Sequence, residues 1–215
     1  MKRIVVIGLG IFGSNIAKEL FESGMEVIAI DKNKEIIQKI KDYATKAILA
    51  DATDKEVLEE IGIQPDDITI ISFGEDLAAS TLLTLHLKEL NVKEIIVKAP
   101  NEDHKRILEK VGATEVIIPE KEMASKVAKS LTSPNILDYL PVSGDYTISE
   151  IAPPSSFLGK TIANLNLRTK YHIEVIAVRD VLSDRLEMVP PASFVLKDSD
   201  VLVVIGKEQD IQKIK

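Results

Sequence analysis

The chain has no cysteine and no tryptophan among its 215 residues, and only 4% of them are aromatic. Without cysteine there are no disulfides, thiolate metal sites or thiol nucleophiles, so any metal would need oxygen ligands or histidine. Histidine is scarce as well: His86, His104 and His172 stand far apart, with neither metal-ligand spacing nor a partner arranged for acid–base work. No catalytic residue and no metal ligand is assigned. No apolar run approaches the roughly 18 residues that suggest a membrane span. The N-terminal Met-Lys-Arg runs directly into a short apolar stretch, without the h-region of a signal peptide. A cytoplasmic protein with no direct membrane insertion is expected. Positive charge is also in deficit, since 27 Lys and Arg face 34 Asp and Glu for a net −7. An extended phosphate backbone is repelled by such a surface, which argues against nucleic-acid binding.

What is present begins with Gly8-Leu9-Gly10-Ile11-Phe12-Gly13, between an apolar strand over Arg3–Ile7 and a helix over Ile11–Phe21. In a strand–turn–helix unit of this kind Gly8 permits the tight turn. Gly10 lacks the Cβ that would block a diphosphate, and Gly13 lets the helix pack closely on the sheet. A phosphate then meets free N–H groups at the positive end of the helix. Asp31 closes the next strand about 18 residues past Gly13, close to the roughly 20 expected of a carboxylate that binds ribose hydroxyls. A 2′-phosphate beside that carboxylate is repelled, which disfavours NADP, although Lys32 softens the repulsion. The pattern reads as a nucleotide site.

Strands are expected at Arg3–Ile7, Glu26–Ile30, Ala47–Leu49, Ile68–Ile71, Glu94–Val97 and Val116–Ile118. Helices are expected near Ile11–Phe21, Lys34–Lys41, Lys55–Ile61, Leu77–Leu90, Glu102–Val111 and Lys121–Leu131. That alternation describes an α/β, Rossmann-like, doubly wound parallel sheet, which binds ligands beyond the carboxyl ends of its strands. Gly8, Asp31, Asp51, Ser72 and Lys98 all fall there. Ser133-Pro134-Asn135 breaks the pattern, and residues 136–141 are expected as a short helix. So short a helix needs support: it packs on a second subunit, making residues 121–140 a dimer clasp, or folds back on its own domain. Strands at Tyr146–Ile151, Glu174–Val178, Leu186–Val189 and Val201–Ile205, with helices over Thr161–Asn166 and Glu208–Ile214, form a small α+β C-terminal domain. The expected division is 1–132, a linker over 133–142, and 143–215.

The glycine motif with Asp31, Ala50-Asp51-Ala52-Thr53, Gly74-Glu75-Asp76 and Pro119-Glu120-Lys121-Glu122-Met123 together resemble the regulatory subunits of bacterial Trk/Ktr-type potassium uptake. These combine an RCK (regulator of conductance of potassium) N-domain with a C-domain. Leu158–Ile162 and Leu167–Tyr171 look like the latter, so the likeness spans nearly the whole chain. The resemblance implies a homo-oligomeric ring (dimer, tetramer or octamer) beneath a membrane potassium-channel subunit, peripheral to the inner membrane, which changes shape when nucleotide binds. By the same analogy Asp51, Ala52 and Thr53 face the adenine, and Gly74 belongs to the site. Asp51 has an alternative as N-cap of the following helix, in competition with Thr53 and Asp54. ATP-responsive relatives commonly carry Arg at the position of Ile11, where it meets a nucleotide phosphate of the neighbouring subunit. Isoleucine cannot, so AMP, ADP or NAD is expected more than ATP, unless a second related chain in the ring supplies the cation. The resemblance puts Glu120 near the phosphates, whereas a helix-start acid is its other reading. Lys98 reaches a phosphate or, by default, snorkels at the surface. Ile162, Arg168 and Pro190-Pro191 stand where some relatives bind cyclic di-AMP, with Ala163 where those often have a second isoleucine.

A competing reading is an NAD-dependent oxidoreductase with a small C-terminal dimerisation domain. It explains the N-terminal half equally well, but it lacks a placed base, and the C-terminal module is small for a substrate pocket.

Overall fold

The computed structural model describes residues 2–73, 76–132 and 135–214. Two compact units divide the chain, Met1–Glu122 and Met123–Lys215.

In the first unit, short aliphatic runs form β1 (Arg3–Ile7), β2 (Glu26–Asp31), β3 (Lys46–Leu49), β4 (Ile68–Ile71), β5 (Glu94–Lys98) and β6 (Glu115–Ile117). Between them lie α1 (Ile11–Glu22), α2 (Lys34–Ile40), α3 (Lys55–Ile61), α4 (Leu77–Glu89) and α5 (Glu102–Val111). All pairings are parallel, in the order β3-β2-β1-β4-β5-β6. The direction of winding therefore reverses between β1 and β4, where such sheets open a crevice. Because successive strand side chains point to opposite faces, Val5 and Ile7 join the core under Leu58, Leu83 and Leu108 of α3, α4 and α5. Ile4 and Val6 join Ala17 and Ile40 of α1 and α2 on the other side. Burial on both faces is why β1 reads as an unbroken apolar run.

The amino end of the sheet is clamped. Arg3 donates from Nε and Nη2 to the two carboxylate oxygens of Asp67, at 2.9 and 2.6 Å, and from Nη2 to Gly62 O. Asp67 is 4% exposed and also accepts from Gln64 N, so the buried charge is paired on every side.

A further helix, α6 (Pro119–Thr132), crosses the boundary between the units. It starts two residues ahead of the expected Lys121, since proline at a first helical position has no N–H to lose. The second unit is an antiparallel sheet ordered β10-β9-β11-β8-β7. Its strands are β7 (Ile136–Ser143), β8 (Tyr146–Ile151), β9 (Glu174–Asp180), β10 (Arg185–Met188) and β11 (Asp200–Lys207). The short helices α7 (Ile162–Leu165), α8 (Leu167–Tyr171) and α9 (Glu208–Ile211) bury Leu165, Leu167 and Ile211 against Ile151, Val178 and Leu202.

The helix expected over 136–141 is instead strand β7, and the Ser133-Pro134 break before it lies outside the described residues. Gly144, at φ +61°, makes the two-residue turn between Ser143 and Tyr146, and β7 pairs along β8 from there to Ile136. Pro141 has no N–H for a helix, but it is tolerated on an edge strand, where the register shifts between Pro141 and Ser143. Helix α8 is likewise additional to the expected elements, separated from α7 by Asn166 at φ +47°.

Gly13 is the tightest position in the first unit: an ideal Cβ there lies 2.0 Å from Gly8 O. Gly13→Ala is expected to cost about 1–3 kcal/mol in urea unfolding, the overpacking outweighing the helix propensity gained.

Candidate functional site

The carboxyl ends of β1, β2 and β4 meet around the glycine turn. Gly8 turns at φ +86°, donates its N–H to Ile30 O at 2.9 Å, and leaves no room for a side chain, since its Cβ would lie 2.8 Å from the Phe73 ring. Ser72 N donates to Ile7 O at 2.8 Å, which ties the end of β4 to the same turn. Gly10 differs from both, because a Cβ there meets nothing within 4 Å. No packing within the chain demands glycine at this position, so close approach by another molecule remains as the physical reason for it. Gly10 is also the N-cap of α1 and has no side chain to cap it, whereas Asn33, Asp54, Asp76 and Asn101 cap α2, α3, α4 and α5. The first-turn N–H groups of α1 thus lack a capping side chain.

Asp31 ends β2 with its carboxylate fixed from both sides. Oδ2 accepts from Leu9 N and Oδ1 from Asn33 N, each at 2.7 Å. A carboxylate oxygen can accept twice, so each retains capacity for a hydroxyl donor while the backbone holds its direction. Asp31, Lys32, Asp51, Ala52 and Thr53 together line a cleft of about 570 Å³, floored by Ile7, Ile30 and Phe73. Those five expected residues share one site.

Asp51 does not cap the next helix. Asp54 does, through Glu56 N at 3.0 Å, being the residue adjacent to α3. Asp51 Oδ1 instead accepts from Thr53 Oγ1 at 2.7 Å and Thr53 N at 3.1 Å. These bonds, helped by the charge of Lys32, hold its carboxyl below the ordinary aspartate range. The anion stays at the rim with its orientation set.

The remaining expected residues lie around this cleft rather than in it. Gly10 and Ile11 border a second cleft of about 480 Å³, next to Lys18 and Lys39, and Ile11 is 89% exposed. Ser72 is 7% exposed, and its Cβ lies 3.2 Å from the ideal Cβ position of Gly13. Its Oγ has no hydrogen-bond partner among the described residues. Gly74 lies outside the described residues. Lys98 is not the snorkelling surface lysine expected by default. Its side chain is 14% exposed, with Nζ 2.5 Å from the Glu120 carboxylate and 5.9 Å from the centroid of the Phe12 ring. Lys98 donates to Glu120 and draws its carboxyl below the usual glutamate range. Elsewhere, Arg168 pairs with Glu174.

Sequence reasoning missed Phe73 and the α4 residues Ala78, Ala79 and Leu82, which complete the wall of the first cleft. Their signal is positional: they follow β4, across the reversal point from β1.

Comparison with known proteins places both units in known domain families. The TrkA-N domain matches residues 4–119 and the TrkA-C domain residues 146–215. The Ktr system potassium uptake protein C of Bacillus subtilis (strain 168) is 38% identical over 214 residues, covering 100% of this chain and 96% of its own. The Ktr system potassium uptake protein A of the same organism is 39% identical with the same coverage. Among solved structures, the GsuK channel bound to NAD has the same fold, with a TM-score of 0.64 at 18% identity. It is covered over 97% of this chain but only 38% of its own, so the chain spans little more than a third of that protein.

With nothing for a Cβ to strike, Gly10→Ala is expected to leave the urea unfolding free energy within about 0.5 kcal/mol of the parent. A larger loss would mean that the glycine serves the fold.

Proposed function

The chain belongs to the family that joins a TrkA-N domain to a TrkA-C domain, and from that membership we propose that it is a regulatory subunit of a membrane potassium-uptake channel. In this reading the first unit binds an adenine nucleotide (AMP, ADP or NAD in preference to ATP), and a ring of subunits carries the resulting change of shape to the channel. The protein sits in the cytoplasm at the inner membrane through its partner. No helix among the described residues is long and apolar enough to cross a membrane. The ring contains copies of this chain, with or without a second related chain.

One observation carries the nucleotide assignment. The Asp31 carboxylate is held by Leu9 N and Asn33 N at one end of the glycine turn, and the α1 amides stand without a side-chain cap at the other. A ribose that donates to the first and a phosphate that accepts from the second satisfy both at once. The enzyme alternative has less to work with. Each acid of the cleft is engaged in holding backbone: Asp31 as described, Asp51 with Thr53, and Asp76 with Ala79 N.

Regulation then follows from differential affinity. A tenfold preference for one ring geometry supplies about 1.4 kcal/mol per site, so a sharp response requires several coupled sites.

Calorimetry with AMP, ADP and NAD tests the assignment. Asp31→Ala is expected to weaken binding by about 1.5–3 kcal/mol, the worth of a charged hydrogen bond. Asp31→Asn keeps an acceptor for one backbone amide and loses less. Unchanged affinity in both variants would refute the ribose contact. Because Ile11 stands exposed at the first turn of α1, Ile11→Arg is expected to raise the preference for ATP over AMP by about tenfold when subunits assemble. Native mass spectrometry of the assembled ring reads that change.

A further inference from the structure

The cleft beside Gly10 and Ile11 is unlike the one around Asp31. The latter is lined by three acids and one lysine, whereas the described residues that line the former include no acid, and its two charged members are Lys18 and Lys39. It is a groove between α1 and α2. Helix α1 contributes Ile11 and Lys18, which share a face at helical spacing, and α2 contributes Ile36, Lys39 and Ile40. Leu9 and Ile40 are buried and form its floor, while Ile11 stands exposed at its rim.

The groove has two unlike ends. Both helices follow strands of one parallel sheet and run in the same direction, so the two lysines lie towards their carboxyl ends and Leu9 and Ile11 lie at the other. Ile11 and Lys18 are about 10 Å apart along the axis of α1. Ser14 and Asn15, between them, already bond the backbone: Ser14 Oγ donates to Leu9 O at 2.6 Å and Asn15 Nδ2 to Ile11 O at 2.9 Å. The charged donors of the groove are therefore the lysines. Lys18 Nζ stands 4.6 Å from the centroid of the Tyr43 ring, and its exposed pair with Glu22, at 3.7 Å, is too weak to keep it from a ligand anion. In a chain of net charge −7 this is a local cationic site over an apolar floor.

We propose that this groove is a second binding site, for an organic monoanion with an aliphatic body, namely a medium-chain carboxylate. The carboxylate is held between Lys18 and Lys39, and the chain lies over Leu9, Ile36 and Ile40 towards Ile11. A concave, mostly apolar surface with a few polar groups at one end is the usual form of a small-molecule pocket, and about 480 Å³ is of the usual size. The lysines select the acid over an uncharged molecule of the same shape, and the apolar floor selects it over an inorganic anion. Leu9 belongs to both places, since its N–H holds Asp31 at 2.7 Å, so an acid seated here adjoins the first cleft without competing for it. The site goes beyond the nucleotide reading and does not depend on it.

The test is calorimetry of the full chain with octanoate as the probe, octanol as its uncharged counterpart and inorganic phosphate as an anion without an apolar body. Octanoate is expected to bind once per chain, about tenfold more tightly than either control. Lys18→Gln combined with Lys39→Gln is expected to lower octanoate affinity by about tenfold and to leave octanol affinity unchanged. Asn15→Asp, at an exposed position, puts an acid into the groove and is expected to weaken octanoate by about fivefold; urea unfolding of both variants shows that they fold. Four results overturn the proposal: no uptake of octanoate, equal binding of octanoate and octanol, displacement of octanoate by phosphate at the same concentration, or unchanged octanoate affinity in both variants. Octanoate affinity that rises when the assembly is diluted also overturns it, because a second copy of the chain is then the occupant. Adenine nucleotide binding is read separately on the same samples, so its failure leaves this site standing.

Discussion

The contact between Gly13 and Gly8 O governs the first unit, because α1 lies so close on β1 that a Cβ at Gly13 would stand only 2.0 Å from Gly8 O. With α1 at that depth its opening amides lie level with the carboxyl ends of the strands, and Leu9 N can reach Asp31 at 2.7 Å. A helix held further off by a methyl group would carry its amides away from the carboxylate. The Asp31 carboxylate and the opening amides of α1 are therefore set by one backbone approach, and neither depends on a long side chain adopting the right rotamer.

An acidic chain that takes an acidic ligand has to concentrate its positive character. The net charge is −7, yet the residues around the glycine turn offer the uncapped α1 amides, Lys32 at the cleft and the enclosed Lys98. The nearby acids are each occupied: Asp51 by Thr53, Asp76 by Ala79 N, Glu120 by Lys98. Local dipoles and paired charges, rather than overall charge, decide what binds.

The sheet of the first unit was legible because doubly buried strands are continuous aliphatic runs and their helices have separate caps. Asp31 was legible through its distance from Gly13. Asp51 was ambiguous since three candidates for one cap stood within four residues, and only the start of α3 at Lys55 assigns the role to Asp54. Lys98 had two readings, and its pairing with Glu120 beside Phe12 was not legible because both partners are remote in the sequence. β7 was misjudged for a related reason: Leu137, Asp138, Tyr139 and Leu140 fit either period, and pairing with β8, made possible by the turn at Gly144, decides between them. Local pattern reveals what neighbours in sequence determine, and it misses what is settled across the fold.

The Arg3–Asp67 clamp lies at the amino ends of β1 and β4, whereas Gly8, Asp31 and Ser72 lie at the carboxyl ends of β1, β2 and β4. Endurance and recognition thus occupy opposite rims of the same strands, so inherited changes at one rim can adapt the protein to a hotter or colder habitat while the other keeps its chemistry.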